Sequence, residues 1–158
     1  MKSFLLKNNK PLVCWSLIPD GVFFEGELPG KEYNLAVCPT DEKMVIVDID
    51  CKEGKVSGYD NIPENIFNEL LQSYHYKTKS GGMHVFLHYT GDKVLLNTTS
   101  KLSIDLRIGK NKVTGNNGGY VRWNGGVDPR TITHLIKETS LELNEWLENL
   151  FCGVKHGD

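Results

Sequence analysis

Apolar residues in this chain come in short runs separated by turn residues, a pattern typical of β-strands. The strongest run, "KMVIVDID", is rich in β-branched residues and is followed by a polar, glycine-bearing turn. Because most consecutive residues of this run are apolar, it predicts a central strand that is buried on both faces. Other runs predict further strands in "PLVCW", "GVFF", "YNLAVCP", "YHYKTKS", "MHVFLHY", "LSIDLRIG" and "VTGNNGGYVRW".

Three later segments predict helices. The segment "IPENIFNELLQSY" has a proline suited to a first helical turn, and its apolar residues recur at helical intervals over about ten residues. The segments "DPRTITHLIKE" and "SLELNEWLENLF" predict terminal helices, the second with a single apolar stripe. This order of strands, helix, strands and helices predicts an α+β fold with a mixed or antiparallel central sheet.

Composition narrows the class of protein. The chain has 158 residues, which is enough for one domain with a substantial core, so we expect a single domain over 1–158. The net charge of -2 excludes a broad basic coat, so a nucleic acid would have to meet a local basic groove. No apolar stretch approaches the roughly 18 residues of a membrane span, and the N-terminus has no small-residue cleavage site. We therefore expect no membrane partner.

The four cysteines suggest a reducing compartment. Cys14, Cys38, Cys51 and Cys152 form no CxxC pair and no zinc-like spacing. We expect reduced, structural thiols and a cytoplasmic location.

Two aspartates end the strongest strand. In a strand, residues two apart face the same way, about 6.6 Å apart at Cα, so Asp48 and Asp50 share a face. Two carboxylates that close repel each other unless a cation neutralises them or one takes a proton. Oxygen ligands favour Mg²⁺ or Mn²⁺ over zinc. The alternative is a turn-capping aspartate beside an exposed one, and a D-x-D pattern alone does not choose between them.

A third aspartate lies within another apolar strand. Asp105 stands between two apolar residues and therefore needs a partner. That partner is either Arg107 or a histidine, in a structural pair, or a metal ion shared with Asp48 and Asp50. Three carboxylates can hold two divalent ions about 3.5–4 Å apart, an arrangement used in phosphoryl transfer.

A glycine-rich hairpin lies between these two strands. Its glycines predict a tight turn whose backbone amides can approach a phosphate, and a histidine at the start of the next strand can donate to a phosphate oxygen. The alternative is a plain hairpin with a satisfied histidine. His75 and His88 are interpreted as structural. The residues that would contact phosphate are Lys79, Ser80, Gly81, Gly82 and His84, and Lys77 adds local positive charge.

These three segments occur in a characteristic order. Asp48-Ile49-Asp50, Ser80-Gly81-Gly82-Met83-His84 and Ile104-Asp105 resemble the three motifs of the primase-polymerase (prim-pol) domain of the archaeo-eukaryotic primase superfamily. The flanking segments "NKPLVCW", "NLAV" and "DLRIGKNKVTGNNGGYV" are also similar to that family. The resemblance extends over about 10–121. It implies an RRM-like sheet with a small N-terminal αβ unit packed against it and helices flanking it.

The resemblance also implies residue roles. Asp48, Asp50 and Asp105 would bind two catalytic Mg²⁺ or Mn²⁺ ions. Ser80 and His84 would contact the triphosphate of the incoming nucleotide. The remaining expected contacts are Arg107 as a helper at the triphosphate, Gly119 and Tyr120 near the nucleotide or template, Lys52, Lys55, Lys110, Lys112 and Arg122 along the template, and Tyr120 or Trp123 as a stacking surface. The lysines equally suit ordinary solvated loops.

The leading hypothesis is a metal-dependent nucleotidyltransferase that makes or extends DNA or RNA primers. Its partners would be nucleoside triphosphates and single-stranded or primed DNA. No GxxxxGK[ST] motif is present, so a helicase would be a separate partner. The small size favours phage or plasmid replication.

Two other functions compete with this hypothesis. One is a non-catalytic protein on the same scaffold that binds nucleotides or single-stranded nucleic acid, or acts on host replication. The other is a rolling-circle endonuclease, which is disfavoured because His84 and His88 are four residues apart rather than two.

Overall fold

The computed structural model describes residues 1–41, 43–96, 98–99, 102–109 and 118–152. Over these residues the chain forms ten β-strands and two α-helices. In chain order the strands are β1 (Lys2–Lys7), β2 (Lys10–Pro11), β3 (Tyr33–Cys38), β4 (Met44–Ile49), β5 (His75–Lys77), β6 (Met83–His88), β7 (Thr98–Thr99), β8 (Ile104–Ile108), β9 (Val121–Arg122) and β10 (Lys137–Glu138), and the helices are α1 (Glu64–Leu70) and α2 (Leu141–Phe151).

The larger of two sheets has six strands. Its order is β10-β6-β4-β8-β7, with β5 also paired to β6. β4, the strongest strand predicted from sequence, lies at the centre between antiparallel β6 and β8. β10 runs parallel to β6, which makes the sheet mixed. The expected α+β class with a mixed central sheet is therefore confirmed.

The smaller sheet has four antiparallel strands in the order β2-β1-β3-β9. Three of them come from the N-terminal part of the chain, whereas β9 lies between β8 and β10 of the larger sheet in sequence. Within residues 1–41 the structure contains a 3₁₀ turn, Trp15–Leu17, and no α-helix. The N-terminal unit that the resemblance implied to be αβ is therefore a sheet.

The period-two alternation of β4 separates two cores. Val45, Val47 and Ile49 face a core that includes Leu143 and Leu147 of α2 and the buried residues of α1. The opposite face carries a second core, which joins residues of the larger sheet to residues of the smaller one: Met44, Ile46 and Phe86 with Val37 and Val121, next to Ile132 and Ile136. Asp48 lies two residues after Ile46, so its side chain is on the second face and points to where the two sheets meet.

The segment "DPRTITHLIKE" is not a helix, contrary to its predicted structure. It forms two 3₁₀ turns, Pro129–Thr131 and Thr133–Leu135, followed by β10. The Asp128 side chain accepts a hydrogen bond from the Arg130 amide (2.9 Å), and the Thr131 hydroxyl donates to the Asp128 carbonyl (2.7 Å). Such local bonds, together with β-branched residues, compete with helix formation.

The N-terminal strands also differ from their predictions. "GVFF" forms no strand, and "PLVCW" contributes only one residue to β2 before a turn. No strand was predicted over β1, whose short apolar run lies between two lysines. Lys2 is 5% exposed, and its ammonium donates to the carbonyls of Trp15 (2.7 Å) and Ile18 (2.9 Å). The helices predicted in "IPENIFNELLQSY" and "SLELNEWLENLF" are confirmed as α1 and α2, although α1 has only seven residues.

Cys38 fits the expectation of a structural thiol. It is 1% exposed, and burial raises the pKa of its thiol to about 11. At neutral pH this sulfur is protonated and therefore a poor nucleophile. Cys14 and Cys51 also form no disulfide.

No helix among the described residues combines the length and the apolar character that a membrane span requires.

Candidate metal centre

Strand register brings the central polar residues together. Asp48 of β4 lies directly opposite Asp105 of β8 on one side and opposite His84 of β6 on the other. Residues paired across antiparallel strands face the same side of a sheet. All three side chains therefore point to the face on which the smaller sheet packs, and Asp50 follows at the end of β4.

The three carboxylates converge on one point. Asp48, Asp50 and Asp105 each offer an oxygen, and these oxygens all lie within 4.8 Å of one another. Asp105 is buried at 7% exposure, while the other two are half-buried. Asp105 thus faces the other two carboxylates, as the hypothesis of a three-carboxylate site requires.

Burial and a neighbouring charge disfavour the ionised form of one carboxylate in this cluster. Burial, followed by the nearby charge of Asp48, raises the pKa of the Asp50 carboxyl above its ordinary value of 3.8. Arg107 forms an ion pair with Asp105, with Nη2 3.4 Å from Oδ2. The arginine pair and the carboxylate cluster, which were alternatives in the sequence, therefore coexist. An all-oxygen donor set of this kind fits Mg²⁺ or Mn²⁺.

Backbone contacts hold the end of β4 in place. The Asp50 amide donates to the Ser103 carbonyl (2.9 Å), and the Gly58 amide donates to the Asp50 carbonyl (2.8 Å). Ser103 immediately precedes β8 and has a left-handed φ of 61°. The bond to Ser103 therefore links the segment that carries Asp50 to the start of the strand that carries Asp105.

The predicted glycine turn packs against the same strand end. The Thr78 amide donates to the Gly82 carbonyl (2.9 Å), and the Gly81 amide donates to the Thr78 carbonyl (3.1 Å). A Cβ on Gly82 would lie 2.2 Å from the Ile49 carbonyl oxygen, so only glycine allows this approach. Gly81 has a φ of 92°, and its carbonyl accepts from the Tyr59 hydroxyl at 2.9 Å.

His84 connects the carboxylates to an aromatic cluster. Its Nε2 lies 3.3 Å from Asp48 Oδ1, and its Nδ1 lies 2.7 Å from the Tyr76 hydroxyl oxygen. Tyr76 is the cross-strand partner of His84 in the β5–β6 hairpin. Sequence reasoning missed Tyr76; pairing the two strands about the glycine turn would have placed it beside His84.

A cleft of about 320 Å³ opens in front of these groups, between the two sheets. Among the charged groups that line it, four are cationic and two are carboxylates. The lining residues are Asp48, Asp50, Lys52, Thr78, Lys79, Ser80, His84, Arg107, Tyr120, Val121, Arg122 and Asn124. Most of the predicted nucleotide contacts thus lie together, and the cleft can accept an anionic ligand beside a divalent cation.

The remaining predicted residues lie elsewhere. Gly81 and Gly82 form the turn without lining the cleft, and Gly119 is buried with its amide bonded to the Ile108 carbonyl (3.0 Å). Trp123 packs among Tyr74, Tyr76 and Phe86 and lines a second cavity instead. Lys55 is exposed outside the cleft lining, and Lys110 and Lys112 lie outside the described residues.

Arg122 has unused hydrogen-bonding capacity. Its Nη1 donates to Asn9 Oδ1 at 3.1 Å, so the turn between β1 and β2 supports it. Its Nε is buried without a hydrogen-bond partner among the described residues. An arginine held in this way keeps its positive charge at the cleft.

The chain was compared with known proteins. It matches no protein-family model and none of the curated proteins with which it was compared.

Proposed function

We propose that the protein is a metal-dependent nucleotidyltransferase that makes or extends primers from nucleoside triphosphates. The observation that carries this proposal is the convergence of Asp48, Asp50 and Asp105, with oxygens within 4.8 Å of one another, beside a cleft that Asp48 and Asp50 line together with four cationic side chains. Carboxylates that gather a divalent cation beside cations that neutralise phosphate suit a metal-bound triphosphate.

The three aspartates would hold Mg²⁺ or Mn²⁺. When bound, such ions lower the pKa of an attacking hydroxyl and stabilise the charge of a departing phosphate. The reaction is attack of a primer 3′-hydroxyl on the α-phosphate of the nucleotide, which forms a phosphodiester bond and releases pyrophosphate. No protein nucleophile is needed.

The chain's own residues supply the binding. Lys79 and Arg107 lie on the cleft wall and would neutralise triphosphate oxygens. His84 would donate a hydrogen bond from Nε2, and the Ser80 hydroxyl lines the same wall. Tyr120 offers a ring at the opposite side of the cleft, although part of it packs against Phe4 and Trp15.

The wider setting follows from the motifs. Their order resembles the prim-pol domain, so the template would be single-stranded or primed DNA, and Arg122 and Lys52, which line the cleft, would contact it. Strand separation would need a separate helicase, as in the replication of a phage or plasmid. Reduced cysteines such as Cys14 and Cys51 are consistent with a cytoplasmic enzyme.

The experiment is nucleotide incorporation with Mn²⁺ on primed and unprimed templates. We expect the wild type to extend a primer, and Asp48→Ala and Asp105→Asn to lose activity by at least about 100-fold, because each removes charge that the cation requires. Asp92→Asn is the matched control, since Asp92 is an exposed carboxylate outside the cleft lining.

A thermal melt with Mn²⁺ accompanies the assay. The melting temperature of the wild type and of Asp92→Asn should rise on adding Mn²⁺, and that of the two site variants should not. Full activity of Asp105→Asn would contradict the three-carboxylate site.

The second candidate is a non-catalytic protein that binds nucleotides or single-stranded nucleic acid. The cationic lining of the cleft favours it, because Lys52, Lys79, Arg107 and Arg122 would attract phosphate without any metal. Absence of incorporation by the wild type, together with nucleotide binding in the presence of a chelator, would support this candidate over the enzyme.

A further inference from the structure

The turn between β1 and β2 has a conformation that suits asparagine at both of its positions. Lys7 pairs directly with Lys10, so the turn consists of two residues, Asn8 and Asn9. A turn of this length favours left-handed backbone at both positions, and their φ values are 51° and 64°. Asparagine tolerates this conformation better than most residues. The Asn8 amide also donates to the Glu32 carbonyl (2.8 Å), so the turn is tied to the residue that precedes β3.

The side chain of Asn9 reaches from this turn to the wall of the cleft. Its Oδ1 accepts a hydrogen bond from Nη1 of Arg122 at 3.1 Å, and Arg122 lines the cleft. A guanidinium group has donors only, so the amide of Asn9 must present its oxygen to it. The contact joins residues 113 positions apart in the chain and thus connects the turn to β9.

Among the residues that the structure describes, Asn9 is the one hydrogen-bond partner of the Arg122 guanidinium. The Nε atom of Arg122 is buried without a partner, and no described carboxylate forms an ion pair with this arginine. Arg107, on the same cleft wall, differs in this respect because Asp105 Oδ2 lies 3.4 Å from its Nη2. A neutral amide orients the guanidinium of Arg122 without neutralising its charge.

The backbone of Arg122 is held separately from its side chain. The Tyr76 hydroxyl donates to the Arg122 carbonyl at 3.4 Å, and Arg122 lies opposite Ala36 in the pairing of β9 with β3. These contacts fix where the side chain begins, whereas Asn9 fixes where it ends. An arginine that lacks such a contact must be ordered when its ligand binds, and the lost freedom weakens binding.

We propose that Asn9 is a positioning residue that holds the guanidinium of Arg122 at the cleft, ready to bind a phosphate group of the ligand. Phosphate is the group that a guanidinium recognises best, and it occurs both in a triphosphate and in the backbone of single-stranded DNA. The proposal rests on the proposed function for the identity of the ligand, and the test separates these two sources of phosphate.

The first test compares anion binding by two glycine variants of the turn. Asn9→Gly removes the amide and keeps a residue that adopts left-handed backbone readily. The probes are inorganic tripolyphosphate with Mn²⁺ and single-stranded oligothymidylate without Mn²⁺. We expect the Kd of at least one probe to rise about three- to tenfold, because the guanidinium is no longer ordered before binding. The probe that responds identifies the source of the phosphate.

Asn8→Gly is the matched control. Asn8 belongs to the same turn, also has a positive φ, and is exposed outside the cleft lining. It should leave both Kd values unchanged, and the two variants should have similar melting temperatures. Unchanged Kd values for both probes in Asn9→Gly, or an equal rise in Asn8→Gly, would overturn the proposal.

A double-mutant cycle shows whether Asn9 acts through Arg122. Arg122→Met keeps an unbranched stem and removes the guanidinium, so it should raise the Kd of the responding probe at least about tenfold. Adding Asn9→Gly to Arg122→Met should then raise that Kd by less than about twofold. If Asn9→Gly has the same effect with and without the guanidinium, the turn influences the cleft by another route and the positioning role is wrong.

The two proposals can fail separately. In the incorporation assay, Asn9→Gly should raise the KM for the nucleotide or for the template and alter kcat by less than about threefold. If the wild type incorporates no nucleotide, the nucleotidyltransferase is wrong, while the Kd values and the cycle still decide the role of Asn9. If incorporation depends on the aspartates but neither Kd responds to Asn9→Gly, only the positioning role is wrong.

Discussion

At the scale of single residues, Asp50 is a carboxylate whose ionisation works against folding. Burial and the charge of Asp48 raise its pKa, so the folded chain holds the proton of this group more tightly than the unfolded chain does. Its contribution to stability is therefore fully present below the ordinary pKa of 3.8 and is lost as the pH rises through the raised value. Ionisation of Asp50 in the folded chain therefore carries a cost to stability that a bound cation would relieve.

Asp50→Asn should accordingly raise the melting temperature at pH 7 without metal, by a few degrees. The difference from wild type should shrink as the pH falls towards 3.8, where the wild-type carboxyl regains its proton. The variant should also lose the stabilisation by Mn²⁺. Differential scanning fluorimetry from pH 3 to 8 measures both effects, with Asp92→Asn as the control; a variant less stable than wild type at pH 7 would contradict the repulsion argument.

Local sequence rules identified the three carboxylates but not the strand pairing that brings side chains together around them. Asp48 and Asp50 could be placed on one face because the period of a strand is a local property, and Asp105 could be recognised as a polar residue in an apolar strand. That Asp105 lies opposite Asp48, and that Tyr76 lies opposite His84, depends on strand register. Register is set by long-range pairing, which a single strand does not reveal.

At the scale of elements, the glycine turn between β5 and β6 is positioned by its contact with β4. Gly82 lies so close to the Ile49 carbonyl that a Cβ would approach to 2.2 Å, whereas a Cβ on Gly81 meets nothing within 4 Å. The conformations differ as well, because only Gly81 has a positive φ, at 92°. Gly82 therefore allows the turn to approach β4 closely, whereas Gly81 allows the chain to reverse.

Alanine substitutions at Gly81 and Gly82 should therefore have different effects on stability and on Mn²⁺ binding. Gly81→Ala should cost about 1–2 kcal/mol, the strain of a left-handed alanine, and leave Mn²⁺ affinity unchanged. Gly82→Ala should cost more and should weaken Mn²⁺ binding, because the turn must move away from the strand end that carries Asp48 and Asp50. Urea unfolding and Mn²⁺ titration measure the two quantities.

Gly26→Ala provides the control for strain alone, since Gly26 has a φ of 99° and open space around its Cβ position, away from the carboxylates. It should behave like Gly81→Ala. Unchanged stability and unchanged Mn²⁺ affinity in Gly82→Ala would show that the turn does not depend on contact with Ile49.

Sequence reasoning misassigned two elements for different physical reasons. Residues 128–138 carry apolar residues at intervals that fit a helix, yet side-chain-to-backbone bonds at Asp128 and Thr131 stabilise turns, and Lys137–Glu138 pairs with β6 as an added parallel strand. β1 carries a lysine whose ammonium is satisfied by distant carbonyls. At residues 128–138 local side-chain bonds and the pairing with β6 both act against a helix, and at β1 a long-range contact satisfies the buried lysine.

At the scale of the whole molecule, the larger sheet is covered on both faces by different structures. One face packs against α1 and α2, and the other meets the smaller sheet through residues such as Ile46, Phe86 and Val121. The cleft belongs to the second face: Val121 and Arg122 of β9 line it opposite the carboxylates. The helices therefore support the sheet, while the contact between sheets shapes the cleft.

This division predicts that two equally buried positions differ in their effect on binding. Leu143 and Ile46 are both 0% exposed, the first beneath α2 and the second between the sheets, on the same strand face as Asp48. Leu143→Ala and Ile46→Ala should each lower the free energy of unfolding by about 2–5 kcal/mol. Only Ile46→Ala should weaken Mn²⁺ binding by the folded protein. Its cavity would form next to Asp48 and to Arg107, the cross-strand partner of Ile46, so relaxation of the structure into that cavity would displace these side chains.

Urea unfolding gives the stabilities, and Mn²⁺ titration well below both melting temperatures gives the affinities of the folded variants. Equal losses of stability make the pair informative, since a general loosening of the fold would weaken Mn²⁺ binding in both variants alike. Equal Mn²⁺ affinities would mean that the cleft does not depend on the core between the sheets. Weaker binding in Leu143→Ala alone would mean that the helices, rather than the smaller sheet, hold the carboxylates in place.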